Sequence, residues 1–454
     1  MASAAEQMAA NLSWGALGKA TDLRQRIVFT ILLLMVYRLG TYIPVPGIDG
    51  GALREFMAEA GAGIGGILNM FTGGAISRMG IFALGIMPYI SASIIVQLLG
   101  SMVPALEQLK KEGDAGRKKM NQYTRYGTVF LAIFQGWAIA ASIEAGGLAH
   151  DPGLFFKLSC VITLVGGTMF LMWLGEQITA RGIGNGVSLI IFVGIVAEVP
   201  AAMAQFFSQG RSGAISTPVI LGVLVLVVAV IAFVVFMERA LRKINIQYPR
   251  RQVGMKVYDG GSSHLPIKVN PAGVIPAIFA SSLLLLPVTI STFSATTTTN
   301  PIMSTILAYF GPGQPLYLLF FTVMIVFFAY FYTANVSFKT EEVADNLKNQ
   351  NGFIPGIRPG KKTEEYLDYV VTRVLVLGSA YLAAVCMLPE ILRNQFAVPF
   401  YFGGTSVLIV VSVTMDTITQ VQSHLLAHQY EGLIEKSQLR GKKRTGPAKP
   451  PTRR

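Results

Sequence analysis

Charge is scarce in this sequence. Of its 454 residues only 13% are Asp, Glu, Lys or Arg, while 52% are hydrophobic. Soluble domains carry roughly 25% charged residues, so the balance excludes a soluble globular domain and points to a polytopic membrane protein. Cysteine is nearly absent: Cys160 and Cys386 both lie inside apolar runs, where they read as small hydrophobes, and neither a disulfide framework nor a metal site follows. The apolar runs themselves almost lack charge, since Arg38 lies near the outer end of the first, Glu176 ends the fourth and Arg373 opens the ninth. Charge at the bilayer centre marks ion and proton pathways, and its scarcity argues against such relays. No nucleophile-base pair, paired carboxylates or phosphate loop stands out, which argues against an enzyme and against a cofactor. The first 20 residues are polar and Ala-rich, without the apolar core of a cleavable signal peptide.

What the chain does have is apolar length. Ten runs are long enough to span a bilayer: about 24–43, 78–100, 124–143, 155–175, 184–207, 217–237, 270–290, 315–336, 371–389 and 398–418. Just before the second run, GAGIGGILNMFTGGAISR is apolar but short and rich in glycine, each helix-interior Gly costing about 1 kcal/mol relative to Ala. It reads as a half-inserted segment, and non-helical backbone at membrane depth needs a cavity or protein around it. The second run, from Met79 to Gly100, reads as a full span with Ile86, Pro88 and Ile90 in its middle.

Lys and Arg set the orientation. The N-terminus, the second, fourth, sixth and eighth loops and the tail hold thirty of them; the opposite side holds Arg54, Arg78, Lys157, Arg211 and Arg393. Both termini are therefore expected to be cytoplasmic. That side also discounts the tripeptides Asn11-Leu12-Ser13 and Asn335-Val336-Ser337 as glycosylation sites. The seventh loop, 291–314, is uncharged and reads as an external connection.

The glycines after Arg181 lack a preceding strand and the spacing of a nucleotide loop, so they read as a tight helix-to-helix turn. His424 and His428 have no carboxylate or thiol partner nearby, and no metal site is expected. Ser91, Gln97, Gln135 and Asn270 are the notable polar groups within the runs; helix–helix hydrogen bonding is their ordinary use. The sixth and eighth loops are long for a helix bundle. The sixth is basic, which suits RNA phosphate, acidic lipid or an acidic protein face. In the eighth, Arg358 sits between Pro355 and Pro359, a stiff turn displaying one guanidinium.

These runs and loops together resemble a known family. PVPGID at Pro44, NMFTGGAISR at Asn69, IFALGIMPYISASIIVQLL at Ile81, QYTRYGT at Gln122, TMFLMWLGEQITARGIGNGVSLIIF at Thr168, HLPIKVNPAGVIPAIFASS at His264, GFIPGIRPG at Gly352 and VPFYFGGTSVLIVV at Val398 are similar to SecY, the channel subunit of the bacterial Sec protein translocase. The resemblance implies an all-α fold of ten transmembrane helices in two inverted five-helix halves, 24–207 and 208–418, around a central pore. A cytoplasmic segment 1–23 precedes them and a basic cytoplasmic tail 419–454 follows; cytoplasmic loops cover about 238–268 and 337–370. It implies a plug within about 61–77, including Ile64, Ile67, Leu68, Asn69, Met70, Phe71, Gly73 and Gly74. It implies a pore ring of Ile86, Ile90, Val187, Ile191, Ile278 and Ile409, although periodicity alone reads those residues as core. Two ring pairs are four apart, on one helix face, and β-branched side chains are stiff. Such a collar excludes ions by dewetting while offering a passing peptide no polar partner.

Ser91, Gln135 and Asn270 then fall along a lateral gate, where weak hydrogen bonds hold it shut. The basic loops dock the ribosome and the motor ATPase SecA, through Arg250, Arg251, Lys256 and Arg358, with Met255 and Lys256 standing where relatives often carry a basic pair. The implied partners are the SecE and SecG subunits, SecA, the ribosome, signal sequences, nascent chains and anionic lipids, in the bacterial cytoplasmic membrane. The rival class is a secondary transporter of a small solute, also built from inverted repeats and broken helices; the uncharged spans and large basic loops argue against it.

Overall fold

The computed structural model describes residues 21–51, 53, 69, 71–213, 216–249, 251–253, 256–258, 261–294, 314–396 and 404–442. A helix stands at each of the ten apolar runs. In chain order the helices are α1 (Thr21–Gly40), α2 (Met87–Met102), α3 (Pro104–Lys111), α4 (Asp114–Ala145), α5 (Leu154–Arg181), α6 (Gly186–Arg211), α7 (Thr217–Arg239), α8 (Ile275–Ser294), α9 (Pro315–Tyr332), α10 (Thr340–Asn349), α11 (Lys361–Phe396) and α12 (Gly404–Lys442). Among the described residues, α4, α5, α6, α7, α9, α11 and α12 contain windows long and apolar enough to cross a membrane; α2 joins α3 at a bend of 102° as an eighth candidate. Val103 takes an extended conformation at that bend, and Pro104 starts the amphipathic α3.

The second span begins later than its hydropathy suggests. Residues 72–86 run as successive turns, and helix starts only at Met87, so Ile86 is the N-cap of α2 rather than a residue within it. Left-handed backbone at Gly73, Gly74, Met79 and Gly85 interrupts any helix there, and Pro88 occupies the first turn, where its missing N–H costs no hydrogen bond.

The sixth loop departs from the all-helical expectation locally. It forms two antiparallel hairpins, β1 (Leu241–Gln247) with β4 (Ser262–Lys268), and β2 (Arg251–Val253) with β3 (Lys256–Tyr258). Ile244, Ile246 and Ile267 alternate with polar neighbours, which gives the hairpin one buried face. Past α9 the chain makes a π-turn, Thr333–Ser337, before α10.

The helices before residue 212 meet those after residue 216 along two seams: α8 packs on α2 and α4, while α12 packs on α6 and α1. One apolar core crosses both parts, from Tyr37 and Phe71 to Leu382 and Ile409. At the first seam, Lys110 Nζ of α3 donates to the Asn335 carbonyl, 3.2 Å, in the π-turn. α7 lies apart from this core along most of its length: of its 23 residues only Val223, Val234 and Glu238 are buried.

Candidate pore, plug and docking surface

The six ring positions come together. Ile86, Ile90, Ile191 and Ile409 are buried members of the cross-seam core, and Val187 and Ile278 pack against it. Their placement starts at the α5–α6 turn. The Asn185 side chain accepts hydrogen bonds from Val187 N (3.1 Å) and Ser188 N (3.3 Å), capping α6 and fixing its first turn. Gly186 N donates to Thr179 Oγ1 (2.9 Å), Ile183 N to Thr30 Oγ1 (3.1 Å) and Gly184 N to Gln420 Oε1 (2.9 Å), so α5, α1 and α12 all grip this turn. A Cβ at Gly186 would lie 2.0 Å from the Gly175 carbonyl oxygen. The glycines are thus a close backbone crossing, as expected of a tight turn and not of a nucleotide loop.

A cavity of about 520 Å³ is lined by Ile90, Val187, Ile191 and Ile278 and by the polar groups Gln97, Asn121, Asn185, Arg125 and Glu176. Arg125 of α4 and Glu176 of α5 form a bidentate pair across its wall, Nη2 lying 2.9 and 2.7 Å from the two carboxylate oxygens. Glu176, which ends the fourth apolar run, is therefore spent on Arg125. The result is an aqueous-sized hollow with polar walls that reaches four of the six ring residues.

Of the plug positions, Ile64, Ile67, Leu68 and Met70 lie outside the described residues. Phe71 is buried in the ring's own core. Asn69 organises the turns that follow it: its carbonyl accepts from Gly74 N (2.8 Å) and its Oδ1 from Ser77 N (2.9 Å). Two adjacent residues of α1 hold the segment, Tyr37 Oη donating to the Thr72 carbonyl (3.3 Å) and Arg38 Nη1 to the Gly73 carbonyl. Gly73 has φ +65° and presses on α6, since a Cβ there would lie 3.1 Å from Gly194 Cα. Arg38, which hydropathy alone leaves free to reach the interface, is therefore committed inward.

The gate trio is not joined. Ser91 and Asn270 are buried and Gln135 is half-buried, but no hydrogen bond links the three. Asn270 Nδ2 instead donates to Glu238 Oε1 (2.9 Å) and to the Gly273 carbonyl (3.0 Å). The expected hydrogen bonds across the seam are thus replaced by bonds among residues 238–273, because a carboxylate and a carbonyl already take both amide hydrogens.

The two long loops form one body. Gln247 at the end of β1 exchanges two backbone hydrogen bonds with Phe353, 2.9 and 3.0 Å. Ile354 is buried with Ile244, Ile267, Leu367 and Val371. Bolted down in this way, the turn between Gly356 (φ +84°) and Gly360 (φ +97°) presents Arg358 as an exposed residue, its carbonyl held by Thr363 Oγ1 at 2.9 Å. Arg251 and Lys256 lie on β2 and β3; Arg250 is outside the described residues.

Comparison with known proteins agrees with this architecture. A family model described as SecY matches residues 80–418. The chain belongs to the SecY family. It is 52% identical over 428 residues to the protein translocase subunit SecY of Escherichia coli strain K12, covering 93% of this chain and 96% of that one. It is 50% identical over 424 residues to SecY of Rickettsia conorii, covering 92% and 97%. Among solved structures it resembles a protein-conducting channel, with TM-score 0.63, 18% identity and coverage of 88% of this chain and 92% of that chain. Similar too are a SecY structure described for a plug domain that stabilises the closed channel and maintains a membrane seal (TM-score 0.60, 20% identity, 88% and 92%) and Sec61 in the canine ribosome-channel complex (0.59, 18%, 88% and 92%). At these identities the likeness is one of fold.

As a SecY chain this is a multi-pass membrane protein. Hydropathy finds its spans, and the six positions that motif matching names for the ring gather in one core. They miss Glu238, Arg38 and the Arg125–Glu176 pair, whose partners lie 32, 35 and 51 residues away and leave no periodic trace.

Proposed function

We propose that this chain is the channel through which unfolded secretory polypeptides cross, and membrane-protein segments leave sideways into, the bacterial cytoplasmic membrane, with both termini cytoplasmic and without catalytic chemistry of its own. One observation carries the reading: six apolar side chains from α2, α6, α8 and α12 and the turn before α2 gather in one core, and four of them line a cavity with polar walls. A hydrated vestibule ending on an apolar collar suits a chain of varied side chains, which needs water around it and no sticky partner at the constriction. A solute carrier would need a specific polar site at that depth.

In this reading Phe71, Gly73 and Gly74 belong to the plug, and Asn270 belongs to the gate where α8 meets α2 and α4. The joined β1–β4 hairpin and Arg358 turn dock the ribosome and the motor SecA, and SecE and SecG complete the complex. The Sec61 relative seen on a ribosome supports the first of these partners.

The experiment places a photo-crosslinker at Ile409 and stalls a secretory chain on its ribosome. A crosslink that requires a functional signal sequence and marks mid-chain residues is the expected result. An engaged complex that gives no crosslink at any of the six ring positions would overturn the central pathway.

A further inference from the structure

Asn270 is 2% exposed and stands just before α8, the helix that meets α2 and α4 at the first seam. Both hydrogens of its amide are taken, one by Glu238 Oε1 and one by the Gly273 carbonyl. Two acceptors on the nitrogen side allow one orientation of the amide, since a flip would set its oxygen against both. The other end of the amide is then fixed as well: Oδ1 is buried and has no hydrogen-bond partner.

Ser412 of α12 and Tyr381 of α11 also stand beside the Glu238 carboxylate, Ser412 within hydrogen-bonding reach of it. Neither hydroxyl is bonded to Asn270 Oδ1, which has no partner. Glu238 is one of three buried residues on α7, and the only polar one. Its position is explained by the amide it holds.

We infer that Glu238 is a positioning residue for the gate: by clamping the amide nitrogen of Asn270 it leaves Asn270 Oδ1 as a buried acceptor that closure cannot satisfy. A buried acceptor without a donor opposes the state that buries it. Parting the seam admits donors, either water or the backbone N–H groups of an arriving segment. The closed gate is thereby kept shallow, and a signal sequence has less to overcome. This inference rests on the reading of Asn270 as a gate residue.

The test uses the full chain in its membrane complex and measures export of one reporter carrying an intact signal sequence and one carrying a signal weakened by a charge in its apolar core. Glu238→Gln keeps an acceptor oxygen toward Asn270 and leaves both exports unchanged. Glu238→Leu leaves the amide with an unpaired hydrogen and an unpaired oxygen, and raises export of the weak-signal reporter about tenfold. Glu238→Leu with Asn270→Leu removes every unpaired group of the pair, deepens closure, and lowers that export below the unsubstituted level. A reversal of sign on adding the second substitution is not produced by a loss of structure.

Additive effects, or Glu238→Gln behaving as Glu238→Leu, would overturn the positioning role. If all variants insert at normal levels and none alters the weak-signal export, it is the gate reading of Asn270 that fails. Should Glu238→Leu alone not accumulate, the other two variants still decide: weak-signal export unchanged in Glu238→Gln and lowered in the double variant supports the positioning role, and any other pair of results overturns it.

Discussion

The guanidinium of Arg38 donates a hydrogen bond to the carbonyl of Gly73, tying the C-terminal end of α1 to the turns that precede α2, a segment we assign to the plug. Tyr37, one residue earlier and 2% exposed, does the same for Thr72. A hydrogen bond from a charged donor contributes about 1.5–3 kcal/mol. Arg38→Gln combined with Tyr37→Phe is therefore expected to loosen the segment and raise the resting ion conductance of the complex in planar bilayers. Conductance equal to that of the unsubstituted protein would show that the segment is held by packing alone.

The apolar collar makes a separate claim on the same measurement. Ile191 and Ile409 are 4% and 1% exposed within the shared core. If they form the proposed collar, replacing both with Gly removes the side chains that keep it dry, and a resting leak of ions is expected with the loops at 238–268 and 337–370 untouched. A tight channel after both substitutions would assign these residues to ordinary packing.

Arg358 is exposed on a turn between two left-handed glycines and makes no side-chain hydrogen bond or ion pair among the described residues. Arg358→Glu should abolish motor-driven translocation while leaving the thermal midpoint of the purified complex within a degree or two, as surface changes usually alter stability by about 0.5 kcal/mol or less. Normal transport by that variant would remove the docking role.

The α5–α6 crossing yields a prediction about stability instead of transport. A methyl group at Gly186 meets the backbone of Gly175, which cannot swing aside as a side chain does. Gly186→Ala is expected to cost about 1–3 kcal/mol, read as a lowered unfolding temperature in detergent. No shift would mean that the two helices separate freely.

Much of the architecture was legible because lipid imposes a length. A segment that must satisfy every backbone group internally across the hydrocarbon needs about 20 apolar residues, and ten such runs stand out. The start of α2 was not legible from hydropathy, because residues 78–86 are as apolar as the helix they precede. What forbids helix there is the left-handed backbone at Gly73, Gly74, Met79 and Gly85, a property of turn geometry. The β1–β4 hairpin escaped for a different reason. Its strands are seven residues each and partly charged, and their partner strand and Phe353 lie far along the chain. The same distance hides Glu238 from Asn270. The chemistry of a site is written in residue types, but which residues meet is written only in the fold.

α7 separates two kinds of constraint within one chain. With three buried residues in 23, it is solvated over most of its surface by something other than its own protein. Any apolar residue serves on such a face as well as another, so Leu, Val, Ile and Phe there are interchangeable and that sequence is free to drift over evolutionary time. Glu238 at its end has no such freedom. The variation tolerated along this helix should therefore fall abruptly within its last turn, from near-neutral exchange to a position that admits a side-chain acceptor of the length of Glu or Gln and little else.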